Sequence, residues 1–140
     1  MTSTRTSILF VCVRNGGKSQ MAAAIANNYA GDRFEIYSAG TAPGTALNAD
    51  SVAALAEIGV DMSQGHPKGI DWQLLGGIDQ LVILGADAHV ELPDGIQPTI
   101  ERWITDEPSA RGIEGIDRMR LIRDDLAARV RGLISQHIDD

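Results

Sequence analysis

The 140 residues hold 19 acidic and 12 basic side chains, a net charge of −7, and are 44% hydrophobic. One core serves up to roughly 250 residues, so a single domain over 1–140 is expected, and the lone Cys12 excludes a disulfide scaffold and suggests a reducing cytoplasm. No run of about 18 apolar residues exists to span a membrane, the polar start Met1–Ser7 does not read as a signal peptide, and the acidic balance argues against nucleic acid as a partner.

Ser7–Val13 is a short, nearly continuous apolar run, as expected of a parallel strand covered on both faces. Arg14-Asn-Gly-Gly17 is turn-prone, and the Ala-rich Met21–Ala30 reads as a helix stopped by a left-handed Gly31. Phe34–Ala39 reads as a strand, and Asn48–Ile58 as a helix with Val52, Leu55 and Ile58 on one side. A turn-rich stretch over Asp61–Asp71 precedes a short helix at Trp72–Leu75. Gln80–Leu84 is a second buried strand, and Thr99–Ile104 a weaker one leading into Thr105-Asp-Glu-Pro108. From Glu114 to Gln136, Ile116, Met119, Ile122, Leu126, Val130 and Leu133 recur at helical spacing and form a core-facing stripe. Strands alternating with helices predict an α/β fold with a parallel sheet and right-handed crossovers.

The stretch Cys12-Val-Arg-Asn-Gly-Gly-Lys-Ser19 joins the first strand to the first helix. Helix N-termini at the carboxyl ends of parallel strands present unpaired N–H groups and a positive dipole end. The amides of Val13, Arg14, Asn15, Gly16, Gly17, Lys18 and Ser19 can therefore cradle a tetrahedral oxyanion, with Lys18 offsetting its charge. The same field is expected to favour a charged Cys12 sulfur, with Ser19 donating to it.

This loop resembles the phosphate loop of the low-molecular-weight tyrosine phosphatase superfamily, Cys-x5-Arg-Ser, and more closely that of its arsenate reductase branch. Val11–Ala22, Ser38-Ala-Gly-Thr41, Met62-Ser, Val82–Ala88 and Trp103–Pro108 carry the resemblance along almost the whole chain. It implies a three-layer α/β/α fold with a four-stranded parallel sheet of flavodoxin-like topology. It also implies Cys12 as nucleophile, Ser19 as the hydroxyl that tunes it, and Asn15 as a loop prop through contact with Ser38. The acid would be Glu107 or its neighbour Asp106.

Three departures choose a branch. Lysine replaces the family arginine at position 18, giving a point charge where a planar fork is usual. With ten Arg and two Lys in the chain, that replacement runs against its own composition, and Arg14 is a second candidate for reaching the anion. The places where thioredoxin-coupled reductases carry further cysteines hold Gly17, Gly85 and Leu92, so an external thiol must finish the reaction. No aromatic lies in Cys12–Ser19 or follows Pro108 to grip an aryl substrate.

The resemblance is therefore to the single-cysteine, mycothiol-dependent arsenate reductases. It implies arsenate as substrate, mycothiol as external co-substrate with glutathione as the alternative, and a glutaredoxin-like redoxin (a mycoredoxin) downstream. No bound cofactor or metal is expected, since one cysteine and three scattered histidines do not make a zinc site. Two other readings stand beside it: a tyrosine phosphatase using the same cysteine, and a non-catalytic oxyanion-binding module. His66 and His137 are not expected to act, and His89, just past a strand end, is a lesser candidate for lining the site.

Overall fold

The computed structural model describes residues 5–138. Four strands, β1 (Thr6–Cys12), β2 (Phe34–Gly40), β3 (Gln80–Leu84) and β4 (Thr99–Trp103), form one parallel sheet in the order β2-β1-β3-β4. Between and after them lie α1 (Lys18–Ala30), α2 (Ala49–Ala56), the single-turn α3 (Trp72–Leu75) and α4 (Gly115–Ile138). The order matches the expected flavodoxin-like winding.

The alternation of β1 decides what each face does. Ile8, Phe10 and Cys12 point to one side, where they pack with residues of α1, α2 and α4 in the larger core. Leu9 and Val11 point to the other, against Leu75, Ile78 and Ala88. The third layer is thin, built from α3 and loop segments around Ile70, Val90 and Ile96. Cys12 thus ends the central strand on the side of the long helices, in register with Gly40 of β2.

Element boundaries differ from the sequence expectation by small, explicable amounts. Helix α1 begins at Lys18, because the glycine pair Gly16-Gly17 ends the turn directly before it. Gly31 takes the expected positive φ, +60°, but with ψ −136° it is not in the left-handed helical well, and a 3-10 turn follows. Helix α2 stops at Ala56, so Ile58 lies beyond it and is exposed, while Leu55 is fully buried. Asn48 caps α2 by accepting the Ser51 amide at 2.8 Å. The stripe on α4 is as periodicity predicts, with Met119, Ile122, Leu126, Val130 and Leu133 all buried. The weak pattern of β4 reflects an edge strand, paired only with β3, of which Trp103 alone is fully inside. Its ring lies 5.9 Å from that of Phe10. Among the described residues no helix is long and apolar enough to cross a membrane.

Candidate active site

Residues 13–17 turn the chain from β1 into α1, and backbone bonding shows how they are held. The carbonyls of Cys12, Val13, Arg14 and Gly16 accept the amides of Thr41, Ala42, Gly44 and Asn48, at 2.7–3.0 Å. Gly17 O accepts from Met21 N in the first turn of α1. With their carbonyls drawn outward, the N–H groups of Arg14, Gly16, Gly17, Lys18 and Ser19 have no acceptor among the described residues. That leaves a nest of donors at a helix N-terminus, the arrangement that binds oxyanions. Close packing enforces it. A Cβ on Gly16 would sit 2.9 Å from Ala46 O, and one on Gly40 2.6 Å from Val13 O.

Beneath the nest the side chains form a connected set. Asn15 has φ +55°, the one non-glycine residue with positive φ among those described, a conformation Asn tolerates better than most. Its amide N–H donates to Cys12 Sγ at 3.2 Å, and its Nδ2 donates to Ser19 Oγ at 2.7 Å. With Ser19 Oγ accepting from Asn15, the serine hydroxyl proton is free to point at Cys12 Sγ, 2.9 Å away. Asn15 Oδ1 in turn accepts from Gln20 Nε2 at 3.1 Å, from Lys68 N at 3.0 Å and from Lys68 Nζ at 3.3 Å. Asn15, Ser19 and Gln20 are all buried.

The expected Asn15–Ser38 contact is not direct. Lys68 stands between them, its Nζ donating to Ser38 Oγ at 3.0 Å as well as to Asn15. An ammonium with three donors can serve both oxygens at once, so the prop runs from Asn15 through Lys68 to Ser38. Burial pushes the Lys68 pKa down from its ordinary value. Both lysines of this arginine-rich chain therefore sit at one loop. Sequence reasoning missed Lys68; the signal available was that same scarcity.

Above the nest opens a cavity of about 900 Å³, whose lining includes Cys12, Arg14, Lys18 and Glu107. Lys18 and Glu107 form an ion pair across it, and Arg118 of α4 reaches the other carboxylate oxygen at 3.4 Å. Desolvation works to raise the Glu107 pKa, but Lys18 and Arg118 outweigh it and hold the group below the usual carboxylate value. Asp106 is placed differently. It is not part of the cavity wall, and Arg111 grips both its oxygens at 2.7 and 3.0 Å, which lowers its pKa. Between the two acids left open by the sequence, the geometry brings Glu107 to the cavity and turns Asp106 away.

The loop carrying them is tied to α4. Asp106 N donates to Asp125 at 2.9 Å, and Arg129 joins Asp125 to Ile104 O. Arg14 lines the cavity, exposed, with no side-chain hydrogen bond among the described residues. His66 and His89 are exposed and absent from the cavity wall. His137 packs edge-on against Phe34 at 6.0 Å, a structural contact not anticipated.

Known proteins agree with this architecture. Over 110 residues the chain is 37% identical to the arsenate reductase of Bacillus subtilis, covering 76% of this chain and 78% of that protein. It is 31% identical to a putative arsenate reductase of Halobacterium salinarum, covering 96% and 95%. A thioredoxin-dependent arsenate reductase of Corynebacterium glutamicum superposes with a TM-score of 0.82 at 26% identity, over 100% of this chain and 66% of that one. Residues 7–137, from the second residue of β1 to the last turn of α4, match the low molecular weight phosphotyrosine protein phosphatases, and the chain belongs to that family.

Proposed function

We propose that this protein is an arsenate reductase that works as an arsenate–thiol transferase. The observation that carries the reading is a single cysteine whose sulfur receives Asn15 N–H and faces the Ser19 hydroxyl under a nest of free amides. The curated relatives named above are arsenate reductases or a putative one.

In this reading arsenate settles on the amides of residues 13–19 and competes with Glu107 for Lys18, with Arg14 available at the rim. Its negative charge beside Glu107 raises the proton affinity of that carboxyl, which then protonates a departing oxygen as water. Cys12 Sγ supplies the electron pair for the new S–As bond, and arsenic stays pentavalent. The external thiol, mycothiol in preference to glutathione, attacks arsenic next. The S–As bond to Cys12 breaks, its electron pair returns to the sulfur, and the thiol–arsenic adduct leaves. A second thiol, on a glutaredoxin-like redoxin such as a mycoredoxin, attacks the sulfur of that adduct. One disulfide forms, and arsenic takes two electrons to become arsenite. No bound cofactor enters this scheme, and a reducing cytoplasm would keep the lone sulfur usable. Preorganised donors are its largest contribution, one of them being worth roughly 3 kcal/mol.

The test is a turnover assay with mycothiol or glutathione, each with its redoxin, as the varied component. Arsenate-dependent disulfide formation is expected, and Cys12→Ser is expected to lower it by about 10⁴-fold or more. Hydrolysis of an aryl phosphate without thiol, with no arsenate reduction under any condition, would assign a phosphatase instead.

A further inference from the structure

Glu107 reaches the cavity from a loop with no regular structure of its own. Residues 104–107 run between the end of β4 and the 3-10 turn Pro108–Arg111. Pro108 keeps the backbone of Glu107 out of the helical region, at φ −120° and ψ 82°. The local chain therefore sets the shape of the turn, but not its position against the nucleophile.

That position comes from α4. Asp125 Oδ2 accepts the Asp106 amide at 2.9 Å, Asp125 Oδ1 accepts Arg129 Nε at 3.0 Å, and Arg129 Nη2 donates to Ile104 O at 3.0 Å. The two peptide groups that flank Thr105 are thus closed into one ring with an ion pair. No other hydrogen bond reaches the backbone of 104–106 among the described residues. Arg118, which meets Glu107 itself at 3.4 Å, stands on the same line of the helix. At about 100° per residue, positions 118, 125 and 129 fall within about 40° of one another on α4. They run beside the buried stripe of Met119, Ile122 and Leu126. Charges of α4 off this line do something else: Arg120 and Arg123 pair with Glu57, just past α2.

We propose that Asp125, held by Arg129, is a positioning residue that fixes the loop so that the carboxyl of Glu107, and not that of Asp106, is turned into the cavity. The inference rests on the transfer reading above, in which Glu107 gives its proton to the departing oxygen. Asp125 is not part of the cavity wall, so it acts through the loop alone. Lys18 and Arg118 face Glu107 from α1 and α4, and Arg14 and Asp87 line the same cavity. A small displacement of the carboxyl among these charges changes both its partners and its reach to the reacting oxygen.

The test is a double-mutant cycle on the full chain, read by arsenate turnover and by a carbon-13 NMR titration of the Glu107 carboxyl. Asp125→Ala is expected to lower kcat about tenfold, less than loss of the acid itself, with KM for arsenate changed less than twofold. In a Glu107→Gln background the same substitution should change kcat by less than twofold, because no proton donor is left to aim. In Asp125→Ala the Glu107 titration should move up toward the ordinary carboxylate value, as the carboxyl leaves Lys18 and Arg118. Arg129→Met, which removes the ion pair and keeps Asp125, should show the same pattern more weakly, and it carries the cycle if Asp125→Ala does not fold. Losses that multiply in the double variant, or a Glu107 titration that neither substitution moves, would overturn the proposal. A wild type that never reduces arsenate removes the transfer reading, and the titration still decides whether Asp125 aims Glu107.

Discussion

The floor and the rim of the cavity are built by opposite means. Under the nest, Asn15, Ser19 and Gln20 are buried, and their side chains are hydrogen-bonded to one another within the protein. At the rim, Lys18, Glu107 and Arg118 pair as partly exposed ions, and Asp106 with Arg111 lies farther out. A buried network of interlocked hydrogen bonds holds one arrangement, because moving one side chain leaves its neighbours unpaired in a low-dielectric setting. Exposed ion pairs contribute little and exchange readily with solvent and incoming charge. In the proposed mechanism the floor therefore fixes the nucleophile, while the rim hands Lys18 from a carboxylate to an arriving oxyanion.

That contrast predicts the largest effect at Asn15. In Asn15→Ala the left-handed backbone loses its tolerant residue, at about 1–2 kcal/mol, and buried partners lose their bonds, at about 1–3 kcal/mol. A fall in stability of about 3 kcal/mol, read by denaturant titration, is expected, with turnover down by about 10³-fold. Asn15→Gly removes the backbone strain and should recover about 1 kcal/mol of stability without restoring turnover. Equal stability in both variants would show that backbone conformation is not what Asn15 supplies.

Glu107→Gln comes next and tests the rim. The geometry places this carboxyl at Lys18, and in the proposed mechanism it is the general acid, so turnover is expected to fall by about 10²-fold. Its stability effect is separate and has a definite sign. The folded pKa lies below the ordinary 4.5, so the carboxylate stabilises the fold above that value. The contribution fades as pH falls through the lower folded pKa. Melting curves of wild type and Glu107→Gln should accordingly differ near neutrality and converge in acid.

Much of the floor can be read directly from the chain, because Cys12 to Gln20 are contiguous and a strand–glycine–helix segment has few ways to fold. The sheet was legible for a similar reason: β1 and β3 are covered on both faces, and Ile8–Cys12 and Leu81–Leu84 are unbroken apolar runs. What could not be read comes from far along the sequence. Lys68 lies in an irregular stretch with no periodicity, and only folding brings it 3.3 Å from Asn15 Oδ1. Arg118 sits between the core positions Ile116 and Met119 and reads as solvent-facing, yet it borders the cavity. The choice between Asp106 and Glu107 depended on which side chain the turn after β4 points inward, which adjacency in sequence does not encode.

Lys68→Met probes the distant part of the floor, with a smaller effect. Removing the ammonium leaves Asn15 Oδ1 its bonds from Gln20 and the residue 68 amide, but Ser38 Oγ loses its partner. Turnover is expected to fall about tenfold while the melting temperature at neutral pH changes little, since a desolvated charge disappears along with its hydrogen bonds. The pH dependence carries the signature. Because burial lowers the folded pKa below 10.5, the unfolded chain binds more protons between the two values. Wild-type stability should therefore gain a rising component with pH in that alkaline window, and Lys68→Met should lack it.

Asp106→Asn should do least to chemistry and closes the test of the rim. Its carboxylate is engaged by Arg111 outside the cavity, so turnover should stay within about threefold of wild type. Arg111 holds the folded pKa below 3.8, which makes the charged form favour the fold above that value and not below the folded pKa. A small loss of melting temperature near neutrality that vanishes in strong acid is the expected trace. A loss of turnover comparable to that of Glu107→Gln would mean that the loop after β4 re-aims its two acids when substrate arrives, and that the rim is mobile in backbone as well as in charge.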